Sequence, residues 1–178
     1  SELTLYGDQR MIRDSFLPLG LLTSLKVLNL DISPDNRGGD LDLSALRPLT
    51  ALQQLRCTLF QRVKLKGSAL LPQLVGLEVK KVGDVNIDAP LPRLQRLEAF
   101  MARSVQLAGE QLQLPQLSQL SLCGSRQATV QWHAAPQLAD IIVCTSSMDI
   151  AIGGWSALPG LTSLALGYSQ ELIHAMLL

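Results

Sequence analysis

Thiols and imidazoles are the side chains of this sequence best suited to chemistry, and both are few. The chain has three cysteines, Cys57, Cys123 and Cys144, and two histidines, His133 and His174. An odd number of cysteines without a Cys-x-x-Cys pair argues against both a disulfide framework and a zinc site. Neither histidine has a nucleophile or a carboxylate at a spacing typical of a catalytic triad. We therefore expect no catalytic residues, no metal-binding residues and no cofactor.

Segment 31–42 is a second place where chemistry could occur. Its four aspartates, one asparagine and two glycines could surround a calcium ion. The acidic residues do not follow the alternating spacing of a calcium-binding loop, and Asp, Asn and Gly are also ordinary turn residues. We interpret the segment as a turn-forming insertion.

Bulk composition limits the class of protein. The 178 residues are 47% apolar but only 4% aromatic, and fifteen basic residues balance fifteen acidic ones. A neutral chain lacks the basic bias of a nucleic-acid binder, and no apolar run is long enough to cross a bilayer. We expect one domain over 1–178, forming part of a longer chain. The odd cysteine count favours an intracellular, cytoplasmic setting.

A repeated apolar phrase accounts for the abundance of leucine. The pattern Leu-x-x-Leu-x-x-Leu-x-Leu recurs along the chain, with Cys, Val, Ala or Ile at some positions. Its third apolar position falls at residues 3, 28, 55, 77, 97, 120, 141 and 164, so the gaps are 25, 27, 22, 20, 23, 21 and 23 residues. A helix bundle would instead show an apolar period of three to four residues.

On these phrases the chain resembles the leucine-rich-repeat family over its whole length. The resemblance implies a curved, right-handed solenoid, between α/β and mainly β, with a parallel sheet on its concave face. One strand is expected in each of about eight repeats, near 3–5, 27–30, 54–57, 76–79, 96–99, 119–122, 140–143 and 163–166. The chain departs from the family where an asparagine normally bonds the next turn, since Phe60, Val82, Ala102 and Ser125 are among the residues at that position.

In repeats three to seven, a second alternating pair begins eight or nine residues after the third apolar position of the phrase. Val63 and Leu65 form one such pair, and Val85 and Ile87 form the next. β-branched residues at period two predict short strands on the convex face, and residues 40–43 have the same pattern, displaced by the insertion. Paired back strands could replace the missing asparagine ladder. Apolar residues at helical spacing predict terminal helices over 8–19 and 169–178.

The repeat phasing also determines which side chains share the outward face of the concave sheet. Alternation directs both leucines of each strand inward and the residues between them outward. Cys123 and Cys144 should lie side by side on neighbouring strands, with Cα atoms about 5 Å apart, as a metal or redox pair or as two inert thiols. Cys57 takes a core leucine position.

The outward residues are the candidates for function. Repeats two to four concentrate charges of both signs, and the later repeats become small and apolar. Arginine and aromatic residues are enriched in protein interfaces, so we expect a non-catalytic module that binds another protein. The predicted partner-binding residues are Arg56, Glu78, Lys80, Arg96, Glu98, Phe100 and Ile142. Alternatively, these charges only pair across strands, and the chain is a structural spacer. A third interpretation is the ligand-sensing ectodomain of a receptor.

Overall fold

The protein is a parallel β-solenoid of about six turns. A computed structural model describes residues 1–7, 21–33, 38–67, 71–144, 149–151 and 158–167. The strands of this described part form two sheets in which all pairing is parallel. Short 3-10 segments at Leu43–Leu46 and Trp132–Ala134 lie between successive strands.

The two sheets alternate along the chain. The front sheet contains, in spatial order, β1 (Glu2–Gly7), β2 (Val27–Ile32), β4 (Gln54–Thr58), β6 (Gly76–Lys80), β8 (Arg96–Phe100), β10 (Gln119–Cys123), β12 (Asp140–Cys144) and β14 (Ser163–Gly167). The back sheet contains, in spatial order, β3 (Gly38–Asp42), β5 (Phe60–Lys66), β7 (Asp84–Asp88), β9 (Ser104–Leu107), β11 (Gln127–Val130) and β13 (Asp149–Ala151). From β2 to β13, each turn thus places one strand in each sheet.

Period-two alternation explains why these residues form strands. In β2 every second residue is fully buried, and Leu28 and Leu30 have no exposed surface. The pairing is in register, so Leu55 of β4 lies beside Leu28 and Leu77 of β6 lies beside Leu55. Alternation directs these leucines to one face of the front sheet, where they meet the valines of the back sheet.

The core lies between the sheets and is closed by the leucines that precede each front strand. In the back sheet Val63 and Val85 are in register and buried. Leu74 and Leu94, which precede β6 and β8, have no exposed surface. A single strand could not bury its own apolar face, but stacked neighbours make one continuous core.

The turns after β4, β6, β8 and β10 use backbone hydrogen bonds to the following repeat. Leu59, Lys81 and Met101 have φ of 66°, 51° and 56°, and Gly124 has φ of 70° at the same position of its turn. The amide N–H groups of Leu59, Lys81 and Met101 donate to carbonyls of the following repeat at 3.0, 2.8 and 2.7 Å. These bonds satisfy the turn without an asparagine side chain. The replacement of an asparagine ladder by paired back strands stays a prediction.

The fold agrees with the sequence expectations at the level of a mainly β repeat solenoid. The predicted front strands fall within β1, β2 and their even-numbered successors, and the alternating pairs of repeats three to six fall within the back sheet. Ile150 of repeat seven is also in the back sheet, whereas its partner Ile152 lies outside the described residues. Residues 40–42 belong to β3, which pairs with β5, so the displaced element is a back strand. The predicted helices over 8–19 and 169–178 lie outside the described residues, as do insertion residues 34–37.

Removing a column leucine should test this core. Leu77→Ala deletes a side chain that is 2% exposed and should lower the free energy of unfolding by roughly 2–5 kcal/mol, because it leaves a cavity. Leu164→Ala is the matched control, since Leu164 belongs to the same column but is 40% exposed. Chemical denaturation of both variants measures the difference. Equal losses would contradict the placement of the core between the sheets.

Ser125 should be replaceable with a gain in stability. Its hydroxyl has no exposed surface and no hydrogen-bond partner within the described part of the chain. Ala102 is at the corresponding position one repeat earlier and is also buried. Because a buried hydroxyl without a partner has lost its hydration, Ser125→Ala should raise the free energy of unfolding by about 1 kcal/mol. In denaturant titrations, Ser121→Ala on the outward face is the control and should change stability by less than about 0.5 kcal/mol. A destabilised Ser125→Ala would refute the assignment.

Candidate functional site

The outward face of the front sheet carries the predicted partner-binding residues. The register places Arg56 of β4 beside Glu78 of β6, and Glu78 beside Glu98 of β8. Two residues further along β6 and β8, Lys80 lies beside Phe100. Six of the seven predicted residues therefore lie on three successive strands. Ile142 is on β12, two strands beyond β8, or roughly 10 Å away at the spacing of strands in a sheet.

Glu78 is the centre of the ionic cluster formed by Arg56, Glu78, Lys80, Arg96 and Glu98. Arg56 Nε lies 2.5 Å from Glu78 Oε2, and Lys80 Nζ pairs with the other carboxylate oxygen. The Glu78 side chain is only 17% exposed. Burial raises the pKa of Glu78, but the hydrogen bonds and charges of Lys80 and Arg56 outweigh burial and lower the pKa below its ordinary value. Glu78 is thus a charged group held in place from two sides.

Arg96 is the less constrained cation of the cluster. Its Nε donates to Gln119 Oε1 at 2.9 Å and lies 3.8 Å from Glu98 Oε1. The Arg96 side chain remains 60% exposed. Guanidinium groups pair well with carboxylates through two parallel hydrogen bonds, and this one keeps much of its surface open to a ligand from solution.

Phe100 connects the ionic cluster to the apolar half of the sheet. Lys80 Nζ lies 5.5 Å from the centroid of its ring, a cation–π distance. Beyond Phe100 the outward residues carry no charge on β10 and only Asp140 on β12, while Ile142 is 41% exposed. Met101, in the turn after β8, is 63% exposed. The sheet therefore presents an ionic half and a largely neutral half side by side.

A shallow depression surrounds Gly76, which the sequence placed in an outward column without singling it out. A Cβ at this position would lie 2.0 Å from Gln54 Oε1, so the Gln54 side chain occupies the space above the glycine. Two hollows, of about 260 and 320 Å³, share Gln54, Gly76 and Arg96 in their linings. The feature of the sequence that could have indicated this depression is a single glycine among polar outward residues.

The back sheet is a useful contrast because its outward charges pair with one another. Arg62 Nη1 lies 2.9 Å from Asp40 Oδ2, Lys64 lies 3.6 Å from Asp42, and Arg103 pairs with Asp84 on the neighbouring strand. Opposite charges at in-register positions stabilise neighbouring strands by a modest amount. This face combines the same types of charge without an adjacent apolar half.

The described aspartates of segment 31–42 lie on different sheets or bond other groups of the protein. Asp31 is on the front sheet, whereas Asp40 and Asp42 are on the back sheet. Asp42 Oδ1 accepts from Ser44 N–H at 3.0 Å and caps the 3-10 segment that follows. Among the described residues, no group of three or more His, Cys, Asp or Glu side chains is placed to hold a metal ion. Asp35 lies outside the described residues.

Two of the remaining chemical candidates lie side by side in the structure. Cys123 and Cys144 occupy in-register positions on neighbouring strands, as the repeat phasing predicted. Cys57 is fully buried in the core, and burial, together with the charge of Asp31, raises the pKa of its thiol. His133 is exposed in the Trp132–Ala134 segment, and His174 lies outside the described residues.

Comparison with known proteins adds no identification. No protein-family model, curated protein or solved structure matches the chain. Within the part of the chain that the structure describes, there is no helix with the length and apolar character needed to span a membrane.

The Glu78 cluster should make stability depend on pH. The pKa of Glu78 is lower in the folded protein than its ordinary value of 4.5, so its ion pairs stabilise the fold above pH 4.5. This contribution is lost as the pH falls through the lowered pKa, because protonation removes the charge that Arg56 and Lys80 contact.

Urea titrations across the acid range measure this effect. Glu78→Gln should be less stable than the parent at neutral pH, and the two proteins should converge below pH 4.5. Glu98→Gln is the control, because Glu98 lies 3.8 Å from its cation and should contribute less at neutral pH. If the stability difference between the parent and Glu78→Gln were the same at every pH, Glu78 would have no ionic role.

Proposed function

We propose that this protein is a non-catalytic module that binds another protein through the outward face of the front sheet. The observation that carries the proposal is the contact between two unlike surfaces on one sheet. An ionic cluster with a largely exposed Arg96 lies directly beside Phe100, and the neutral strands follow. Protein interfaces combine apolar contact area with arginine and aromatic anchors, and this surface offers both.

The shape of the surface favours a protein over a small molecule. Small ligands normally bind in clefts that enclose most of their surface and are lined mainly by apolar groups. The hollows around Gly76 are shallow, and their linings include Gln54, Arg56 and Arg96. A broad partner could contact the ionic and neutral halves at once, which a small molecule could not do.

We also propose that the solenoid is a variant of the leucine-rich-repeat architecture. The support is the spacing of the leucine phrase and the register that places each phrase beside the next. In this variant the convex side is a second β-sheet, and backbone bonds between turns replace the asparagine ladder. The expected concave face then corresponds to the outward face of the front sheet.

A structural spacer is the second candidate, and one observation favours it. Glu78 already contacts both Arg56 and Lys80, so part of the ionic cluster is satisfied without a partner. In a spacer the outward charges would serve only to pair neighbouring strands. The two candidates differ in whether Arg96 and Phe100 are needed for binding.

Charge reversal on the two faces distinguishes these candidates. Arg96→Glu should abolish or strongly weaken partner capture, because it removes the exposed guanidinium and adds a like charge near Glu98. Arg62→Glu on the back sheet is the matched control, since Arg62 is 51% exposed and, like Arg96, pairs with a carboxylate. Both variants should keep the stability of the parent within about 0.5 kcal/mol, because neither side chain contributes to the core.

Quantitative mass spectrometry of proteins captured from a native extract gives the readout, with melting curves for each variant. A true partner is retained by the parent and by Arg62→Glu, and is lost from Arg96→Glu and from Phe100→Ala. If all four proteins capture the same set in equal amounts, the front sheet is not the binding surface and the spacer remains.

A further inference from the structure

Two thiols share one column on the outward face of the front sheet. Cys123 ends β10 and Cys144 ends β12, and the register pairs them directly. The same column continues to Phe100 on one side and to Gly167 on the other. Because in-register side chains of parallel strands point the same way, both sulfurs lie on the same side of the sheet.

Solvent reaches these sulfurs, in contrast to the third thiol. Cys144 is exposed and Cys123 is half-buried, whereas Cys57 is fully buried. Gly167 leaves the far side of Cys144 open, since a Cβ there would lie only 3.1 Å from the sulfur. A larger residue at position 167 would cover the thiol. The fold therefore keeps a pair of thiols accessible in a chain whose remaining cysteine is enclosed.

The spacing of the pair suits a disulfide that is easily reduced. Neighbouring strands lie about 4.8 Å apart, and disulfides join Cα atoms that are roughly 4.4–6.8 Å apart. The Cβ atoms of in-register parallel positions are also about 4.8 Å apart, slightly more than the usual 3.5–4.5 Å. Closing the bond draws the strands together by a few tenths of an ångström, and strained disulfides are the labile ones.

We propose that Cys123 and Cys144 form a modification site, a dithiol that small-molecule disulfides of the glutathione type oxidise reversibly. A thiolate of the pair attacks one sulfur of the small disulfide, forms a mixed disulfide and expels a small thiolate. The second protein sulfur loses its proton to solvent, attacks the first protein sulfur and expels the second small thiolate. Two protein S–H bonds are exchanged for one S–S bond, and the small disulfide is reduced to two thiols.

The two thiols interact with each other and with neighbouring polar groups. The hydrogen bond with Cys123 raises the pKa of Cys144, and burial and the charge of Cys123 act in the same direction, against the Gly167 backbone hydrogen bond. Ser121 Oγ lies 3.6 Å from Cys123 Sγ, so a hydroxyl is close to that sulfur. The proposal does not depend on the front sheet binding a protein.

A peptide map under non-reducing conditions tests the site. Reduced protein is incubated with excess glutathione disulfide, free thiols are then blocked, and the product is digested with trypsin. Cleavage after Arg103 and Arg126 places Cys123 on peptide 104–126 and Cys144 on peptide 127–178, with Cys57 on a third peptide. We expect peptide 104–126 linked to peptide 127–178, and loss of this link when dithiothreitol is added.

Single variants separate the two sulfurs. Cys123→Ser and Cys144→Ser should each lose the cross-link completely and hold one glutathione as a stable mixed disulfide. Cys57→Ser is the control and should cross-link like the parent. Glutathione that remains on both Cys123 and Cys144 without a cross-link would overturn the proposal. So would a cross-link between two chains, or a reaction of the pair no faster than that of Cys57.

Discussion

In-register stacking of parallel strands is the constraint on which the rest of the structure depends. Each turn contributes one strand to each sheet, and neighbouring turns are held at the spacing of backbone hydrogen bonds, about 4.8 Å. Leucine can lie beside leucine only if every turn keeps the same register. A shift by one residue would turn the leucines outward and the charges inward, at a large free-energy cost. The apolar column therefore enforces the register of every other column.

The same constraint explains why like positions in the repeat become neighbours in space. Residues about 20 to 27 positions apart in the chain lie side by side, so each side chain of an inner strand has one neighbour on either side in its column. In this way Arg56 becomes the neighbour of Glu78, and Cys144 becomes the neighbour of Cys123. The spacing also sets limits, because side chains in one column cannot move apart. An ion pair or a thiol pair in a column is thus held at close range by the backbone and not by its own attraction.

The two outward faces differ in what borders their charges. On the back sheet, cations and aspartates alternate across strands and satisfy one another. On the front sheet, the strands with several charged outward residues stop at β8, which carries Phe100. The outward side chains on the strands beyond β8 are mostly small or apolar. The boundary at Phe100 is the feature that distinguishes the front sheet as a candidate surface.

The leucine phrase and its alternating partner determined the repeat, the strands of both sheets and the inward or outward direction of each side chain. They did so because period two follows from strand geometry alone. The sequence also determined that Cys123 and Cys144 are neighbours, since a regular repeat converts position into register. It did not reveal the left-handed turn residues Leu59, Lys81 and Met101, or the depression at Gly76. Those features depend on how one turn contacts the next: the turn residues are held by backbone bonds to the following repeat, and the depression is lined by Gln54 and Arg96 from the strands on either side of Gly76. Only the tertiary structure decided which charges pair, because rotamers and distances between turns are properties of packing and not of spacing along the chain.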